Sequence, residues 1–577
     1  MKNNPKNQIV FIEENISIAS LIEILNHNSD NTLYPGNAIV TDAKNRLLGV
    51  ITDGDIRRGF SNGVSLSDNI SVLLNTTPIT IKEEEIREKD IIKNKIKDLK
   101  YKIKFIPVID NNKIVVRILS TLNKTKVWSS TNDFVSIYGL GYVGLTLGVY
   151  MASLGWRVRG IDSNLKVLEN LERGDLQVYE PNLKDTLQDL LCQKMISLHN
   201  SCEGLSSSMH VIAVGTPVDE EGNPDLNALT SVTRAISNVI KQGDLVTLRS
   251  TVPLGTSRDL VAKILENGSG LIAGLDFHLA FTPERTIEGA ALKELENLPQ
   301  IIGGLTDECA LTASDFFSKI SPSTVITEKI EGAELVKLLN NSFRDLSFAF
   351  ANEVSQLADN FNLNAFALID SANLGYPRNK IPYPSPGVGG YCLTKDPLIY
   401  HKTIQKYSKN SNKNSLASLG RLININSINL VYDNIEYFAK NINEKIDDLK
   451  IFIVGIAFKG NPETADYRGS TSLDLFEIIK SKNKDVYGID NVISDEKILK
   501  LGFKLPKNLD YELNDYSAVY VIMNNHSKNG IVTRASAKKF NFKNILIYDC
   551  WNIVSEAEFK SFNNAKYATL GYKSFKE

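Results

Sequence analysis

Apolar residues in this 577-residue chain recur with two spacings, and each change of spacing marks an element. Short apolar runs bounded by turn residues predict strands at 37–40, 47–52, 134–138 and 157–161. Three more such runs, in 211–217, 244–253 and 277–285, each end in a polar turn. Longer stretches predict helices at 145–154, at 331–360 and again up to about residue 439. Residues 83–100 are a charge run with Ile86, Ile91, Ile92, Ile96 and Leu99 at near-helical spacing, which reads as a solvated amphipathic helix. Residues 121–133 carry no apolar period and read as a linker, 366–397 as a loop rich in Pro and Gly, and 406–414 as a polar break. A new α/β stretch opens at 449–459 and ends with strands at 518–523 and 545–549. Strands alternating with helices form parallel sheets. The pattern therefore gives two α/β units after residue 133, separated by a helical region, and a unit of its own before residue 125.

Composition narrows the class. Hydrophobic residues are 42% and charged residues 23% of the chain, ordinary for a soluble globular protein of three or four domains. A net charge of −2 gives no reason to expect nucleic acid or an anionic membrane as partner. No apolar run approaches the roughly 20 residues that span a bilayer, and the first one, ending at Ile12, is too short for a signal peptide. Cys192, Cys202, Cys309, Cys392 and Cys550 form no CxxC pair. So sparse and odd a set fits a reducing cytoplasm and argues against a disulfide framework or a metal site.

The candidate chemistry gathers in Gly387-Val-Gly-Gly-Tyr-Cys392-Leu-Thr-Lys395-Asp396-Pro397. Glycines let backbone approach a ligand. A cation near Cys392 favours its thiolate, and a carboxylate four residues on can orient a water or take a proton. The same residues would equally serve a turn ahead of a buried structural cysteine. The predicted strand 134–138 runs into Gly139-Leu-Gly141-Tyr142-Val143-Gly144, then a helix, then a strand ending in Asp162. That order is the dinucleotide fingerprint. The helix N-terminus takes the phosphates, and Asp162 would hold ribose hydroxyls and repel a 2′-phosphate, favouring NAD over NADP. Thr216, Thr251 and Glu284 each follow a predicted strand, where open α/β sheets bind ligands. Glu334, Lys337 and Asn341 share one face of the helix 331–360. Lys337 amid apolar neighbours is either a desolvated oxyanion partner or a snorkelling surface lysine.

Two resemblances follow from these residues. Gly49-x-x-Thr52-x-x-Asp55, with a weaker copy at Arg117-x-x-Ser120-x-x-Asn123, resembles a tandem CBS pair. It implies that Thr52 and Asp55 could hold an adenine nucleotide, although both are also ordinary turn and helix-cap residues. From residue 134 onward the chain resembles the UDP-glucose/GDP-mannose dehydrogenase family. The motifs that carry this are Gly139–Gly144, Gly215-Thr-Pro, Ser250-Thr-Val-Pro, Pro283-Glu-Arg, Ala333-Glu-Leu-Val-Lys337-Leu-Leu-Asn-Asn341, Gly389-Gly-Tyr-Cys392 with Lys395-Asp396, and Phe458-Lys459 with Asp466-Tyr-Arg468.

The family resemblance implies an α/β fold of two Rossmann-like domains joined by a long helical region, preceded here by a small α+β CBS-pair domain. The expected boundaries are 1–125 for the CBS-like regulatory domain, 133–327 for the NAD-binding domain, 328–445 for the helical and dimerisation region, and 446–577 for the UDP-sugar domain. The implied reaction is a four-electron oxidation of a UDP-sugar C6 alcohol to a uronic acid, for a surface polysaccharide, by a cytoplasmic homodimer or higher homo-oligomer. Cys392 would form the thiohemiacetal and thioester. Asp396 with Thr251 would hold a basic water, Lys337 and Asn341 would stabilise the oxyanion, and Glu284 would activate the hydrolytic water. NAD would touch Gly139, Gly141, Tyr142, Val143, Gly144, Asp162, Thr216, Thr251, Lys395 and Arg468. The sugar nucleotide would touch Glu284, Arg285, Lys337, Asn341, Arg378, Gly389 and Lys459. Pro283-Glu-Arg and Tyr376-Pro-Arg378 resemble the UDP-N-acetylhexosamine branch, whereas Cys392-Leu-Thr-Lys-Asp396 is nearer the UDP-glucose branch. The alternatives are UDP-glucose as substrate, a dehydrogenase that stops at the aldehyde, a decarboxylating enzyme of the 6-phosphogluconate type, and a silent nucleotide-sensing scaffold.

Overall fold

The computed structural model describes residues 9–28, 36–87, 105–120, 128, 133–176, 179–219, 221–408, 414–509, 513, 515–559, 562 and 564–576. It divides into two compact units, residues 1–125 and 126–577.

The described residues of the first unit form two three-stranded sheets of the same design. In one, β1 (Val10–Glu13) runs parallel to β2 (Asn37–Thr41), which pairs antiparallel with β3 (Leu47–Thr52). In the other, β4 (Ile81–Lys82) runs parallel to β5 (Phe105–Ile109), which pairs antiparallel with β6 (Val115–Ser120). Both hairpins break register at the same place, Val40/Thr41 and Val108/Ile109. Both turns are built alike. Asp42 Oδ1 accepts from the N–H groups of Lys44 and Arg46, and Asp110 Oδ1 from those of Asn112 and Ile114. The left-handed position falls on Asn45 (φ 59°) and Lys113 (φ 64°). The expected repeat is thus present in backbone geometry as well as in motif. Residues 83–87 form a short 3-10 turn; the rest of the expected helix 83–100 and most of the expected linker 121–133 lie outside the described residues.

The second unit carries two sheets. The eight-stranded one has the order β14-β13-β12-β11-β10-β7-β8-β9. Its strands are β7 (Phe134–Tyr138), β8 (Arg157–Ile161), β9 (Ile196–His199), β10 (Met209–Ile212), β11 (Leu245–Leu248), β12 (His278–Phe281), β13 (Gln300–Gly304) and β14 (Thr324–Ile326). All neighbours are parallel except β12 and β13. The six-stranded sheet has the order β16-β15-β17-β18-β19-β20, antiparallel only at β19 and β20. Its strands are β15 (Lys450–Val454), β16 (Val486–Ile489), β17 (Ala518–Ile522), β18 (Ile545–Asp549), β19 (Ala565–Thr569) and β20 (Tyr572–Lys573). Strands such as β17 (Ala-Val-Tyr-Val-Ile) are buried throughout, as a sheet covered on both faces requires.

Between the sheets lie the helices Ile330–Asn360 and Leu416–Asn441, the first about 46 Å long at 1.5 Å per residue. The Asn352 amide donates to Asn424 Oδ1 at 2.9 Å across their contact. The region expected as one loop, 366–397, is not one. It holds the helix Ala365–Asn373, whose first N–H groups are capped by Asn364, and it runs into the helix Tyr391–Tyr407. Pro397 lies inside that second helix. It has no N–H for the Leu393 carbonyl, and the Arg421 guanidinium, 3.5 Å from that oxygen, donates in its place. Pro and Gly marked a loop in the sequence because this compensation comes from a distant helix.

Candidate active site

The sheet order sets the loops after β12, β11, β10, β7 and β8 side by side on one carboxyl edge. Glu284, Thr251, Thr216, the glycine turn and Asp162 follow those strands in that order. Two hydroxyls stitch the edge. Thr216 donates to the Thr251 carbonyl at 2.6 Å, and Ser250 donates to the Val214 carbonyl at 2.7 Å.

The glycine turn has the form the fingerprint requires. Gly139 adopts φ 90°. A Cβ on Gly144 would lie 1.9 Å from the Gly139 carbonyl oxygen, whereas a Cβ on Gly141, at the helix N-terminus, would meet nothing within 4 Å. Gly141 therefore borders open space of the kind a pyrophosphate needs. Asp162 closes the turn by accepting from the Leu140 N–H at 2.9 Å. Val143 lies half-buried in the first turn of the helix Tyr142–Ser153. The Tyr142 hydroxyl donates to Glu180 at 2.7 Å and lies 3.1 Å from the Ile287 carbonyl. These residues fit a dinucleotide.

Cys392 is the second residue of the helix Tyr391–Tyr407. The glycines before it allow a close approach to the C-terminal sheet's loops. A Cβ on Gly389 would lie 2.3 Å from the Gly469 carbonyl oxygen, and one on Gly390 (φ 89°) would lie 2.7 Å from the Phe458 ring. Cys392 is an exposed residue, yet protein atoms pack densely around its thiol. Lys337 and Lys395 favour the thiolate, as the sequence suggested, but burial opposes it. Burial raises the Cys392 thiol and outweighs the Lys337 and Lys395 cations, and the Asp396 and Glu288 carboxylates raise it further.

Around Cys392 the long helix and the cysteine helix bring their polar groups together. Asp396 is completely buried. It takes the Lys395 ammonium on one oxygen at 2.8 Å and the Asn341 amide on the other at 2.5 Å. Lys395, expected at NAD, thus has Asp396 as its partner, with the Tyr391 ring 5.4 Å away. Lys337 is buried rather than snorkelling, and its ammonium donates to the Glu284 main-chain carbonyl at 2.5 Å.

The Glu284 carboxylate points elsewhere. Arg249 holds Oε2 at 2.5 Å, and the N–H groups of Arg285 and Thr286 hold Oε1, both at 2.7 Å. Burial acts to raise this acid, but Arg249 prevails and keeps it below the usual carboxylate range. It is therefore a poor base for hydrolysis in this arrangement. Arg285 donates to the Pro299 carbonyl at 2.5 Å, and Arg378 lies exposed beside the Tyr376 hydroxyl at 3.2 Å. These two stand apart from the Cys392 cluster's hydrogen bonds.

On the C-terminal side, Lys459 donates to the Glu288 main-chain carbonyl at 2.5 Å. Burial pushes its ammonium down to about 8 against the pull of Glu288. Arg468 is paired with Asp466 at 2.6 Å, its guanidinium 5.2 Å from the Tyr391 ring centre. The sequence reading missed Glu288. Its carboxylate accepts from the Thr464 hydroxyl at 2.7 Å, and burial first, then Asp466, raises it above the usual range. Only its position four residues beyond Glu284 hinted at it. Asp490 was missed too. Gly455 (φ 88°) donates to the Ile489 carbonyl at 2.8 Å as Gly139 does to Ile161, and Asp490 accepts from the Ile456 N–H at 2.7 Å as Asp162 does from Leu140. The C-terminal sheet repeats the strand–glycine–acid design without the full glycine motif.

In the first unit, Thr52 and Asp55 form a capping box. The Thr52 hydroxyl donates to Asp55 at 2.6 Å, and Arg58 takes the other carboxylate oxygen at 2.6 Å. Among the described residues there is no cluster of ligands for a metal ion and no helix long and apolar enough to cross a membrane.

Comparison with known proteins agrees with this layout. Residues 134–321, 331–426 and 452–556 match the NAD binding, central and UDP binding domains of the UDP-glucose/GDP-mannose dehydrogenase family, and residues 5–62 match a CBS domain. A UDP-N-acetyl-D-mannosamine dehydrogenase of Pyrococcus horikoshii is 33% identical over 361 residues, 62% of this chain and 83% of the relative. An NDP-N-acetyl-D-galactosaminuronic acid dehydrogenase of Ralstonia solanacearum is 32% identical, over 59% of this chain and 78% of the relative. The solved UDP-D-ManNAc dehydrogenase of Pyrococcus horikoshii superposes with a TM-score of 0.66 at 30% identity, covering 76% of this chain and 99% of that one.

Proposed function

The chain belongs to the UDP-glucose/GDP-mannose dehydrogenase family, as an NAD-dependent oxidoreductase with an N-terminal CBS domain, and we propose that it oxidises the C6 alcohol of a UDP-N-acetylhexosamine to the uronic acid. The observation that supports this is the cluster around Cys392, whose thiol feels the charges of Lys337, Lys395 and Asp396 while Asn341 donates to Asp396. A scaffold without turnover would have no need of that set. The N-acetylhexosamine rests on the relatives' substrates and on the Pro283-Glu-Arg and Tyr376-Pro-Arg378 motifs.

Two NAD molecules, bound one after the other at Gly139–Gly144 and Asp162, would each accept one hydride. The chain's own groups do the rest. A water on Asp396, with Thr251 beside it, takes the C6 hydroxyl proton. Cys392 loses its proton as its sulfur adds to the aldehyde carbon, which restores a hydrogen beside oxygen for the second oxidation. Lys337 and Asn341 donate to the oxygen as its charge develops. One water then cleaves the resulting thioester and frees the thiol. We assign its activation to Glu288 rather than Glu284, because Glu284 is held by Arg249 while burial raises Glu288. Lys459 meets the substrate diphosphate. The exposed Phe343, Phe350, Leu357, Leu422 and Ile425 of the two long helices form the face of a homodimer. The CBS unit takes an adenine nucleotide at Thr52 and Asp55, where the ligand displaces Arg58. The product, a UDP-linked uronic acid, feeds surface polysaccharide.

The test is NADH release from UDP-N-acetylmannosamine, UDP-N-acetylgalactosamine, UDP-N-acetylglucosamine, UDP-glucose and GDP-mannose, with products identified by mass. Two NADH per sugar and a uronic acid from an N-acetylhexosamine are expected. Acid from UDP-glucose alone would overturn the substrate assignment, and full acid yield from Cys392→Ser would overturn the mechanism.

A further inference from the structure

Glu180 belongs to neither ligand cluster, yet it touches the loops of both. It is buried, just ahead of the helix Leu183–Cys192. Its Oε2 accepts from the Tyr142 hydroxyl at 2.7 Å and from the Gly289 N–H at 2.9 Å, and its Oε1 accepts from the Leu292 N–H at 3.3 Å. Tyr142 opens the glycine-turn helix, and its hydroxyl also reaches the Ile287 carbonyl at 3.1 Å. The segment 287–292 is thereby bound to the NAD cradle through a side chain of the cradle itself.

The other side of the same segment meets the C-terminal sheet. Lys459 and Thr464 hold Glu288 by its carbonyl and its carboxylate. Gly289 packs so closely that a Cβ there would lie 2.5 Å from the Glu463 carbonyl oxygen. Two ligand sites thus share one short wall. A buried carboxylate that accepts three hydrogen bonds is costly to rearrange in part, so these bonds tie the wall to the glycine turn.

We propose that Glu180, acting with Tyr142, is a positioning residue that couples the NAD site to the sugar-nucleotide cleft through the segment 287–292. Filling one site fixes the shared wall and lowers the ordering cost at the other. The inference rests on the reading above in taking Lys459 as a diphosphate contact.

Coupling between sites is reciprocal, and that gives the test. On the full chain, NADH affinity is measured with and without saturating UDP, and UDP affinity with and without NADH. In the parent protein each ligand should strengthen the other by one common factor, on the order of tenfold. In Glu180→Gln, where an amide N–H must face one of the three donors, that factor should fall towards one while UDP alone still binds. Tyr142→Phe should lose the factor too, whatever its effect on NADH alone, and it decides the matter if Glu180→Gln does not fold. A role in stability only would lower the melting temperature and leave the factor intact, and that result in both variants overturns the proposal. So does a parent protein with no coupling. A parent that binds NADH but no UDP would instead remove the sugar-nucleotide reading itself, and this inference with it.

Discussion

The Arg421 guanidinium meets the Asp345 carboxylate at 2.7 Å in a buried pair, and the same nitrogen lies 3.2 Å from the Val388 carbonyl. With Leu393 as its third acceptor, Arg421 grips the chain on both sides of Cys392. Removing one member of a buried pair leaves the other charge without compensation. Arg421→Met should therefore cost about 3–5 kcal/mol of unfolding free energy, read from denaturant midpoints. Asp345→Leu in the same chain should recover part of it. An unchanged midpoint would show that the pair does not anchor the cysteine turn.

The two glycines of the NAD turn should separate binding from folding. Gly144→Ala drives a methyl onto the Gly139 carbonyl, so it should lower the melting temperature. Gly141→Ala adds a methyl in open space beside the helix N-terminus, so it should leave melting unchanged and weaken NADH. Thermal melts and fluorescence titrations on both variants distinguish them. Equal loss of stability in both would contradict the assignment of Gly141 to the ligand face.

Because burial raises the Cys392 thiol, its alkylation by iodoacetamide should rise with pH along a curve displaced upward from that of a free thiol. Lys337 works against burial, so Lys337→Met should displace the curve further in the same direction. A curve at or below the free-thiol value in the parent protein would mean that the cations prevail after all.

Glu334 anchors the loop after β11, accepting from the Gly255 N–H at 2.6 Å and the Ser257 N–H at 2.8 Å. Burial pushes it up to about 7 from an ordinary 4.5. The folded chain thus holds this proton more tightly than the unfolded one. The stability it contributes is full below pH 4.5 and is lost as pH rises through about 7. Glu334→Gln should flatten the fall in melting temperature between about pH 5 and 8. Parallel melting curves for parent and variant across that window would refute the assignment.

Much of this site could be read in the sequence because its signals are local. Gly139, Gly141 and Gly144 announce a turn whose shape depends on missing side chains, and Asp162 ends the next strand in register with it. Lys337 and Asn341 share a helix face by spacing alone. Glu288 and Asp490 escaped because an acid in a loop has no period, and what makes them matter is a partner far along the chain. Glu284 shows the converse. Its motif placed it at the site, but only the fold turned its carboxylate to Arg249 and left its carbonyl to Lys337.

The sequence by itself determined the main strands and the two long helices, the repeat in the first unit, the two α/β units and the NAD fingerprint. Each is set by interactions within a few residues, where hydrophobic period and glycine geometry suffice. The tertiary structure alone decided the balance of burial against charge at Cys392, the pairing of Lys395 with Asp396, the helix that continues through Pro397, and the shared wall at 287–292. Those depend on burial and on donors brought in from other elements. Desolvation and charge act through space, so a reading along the chain can name the groups but not the balance between them.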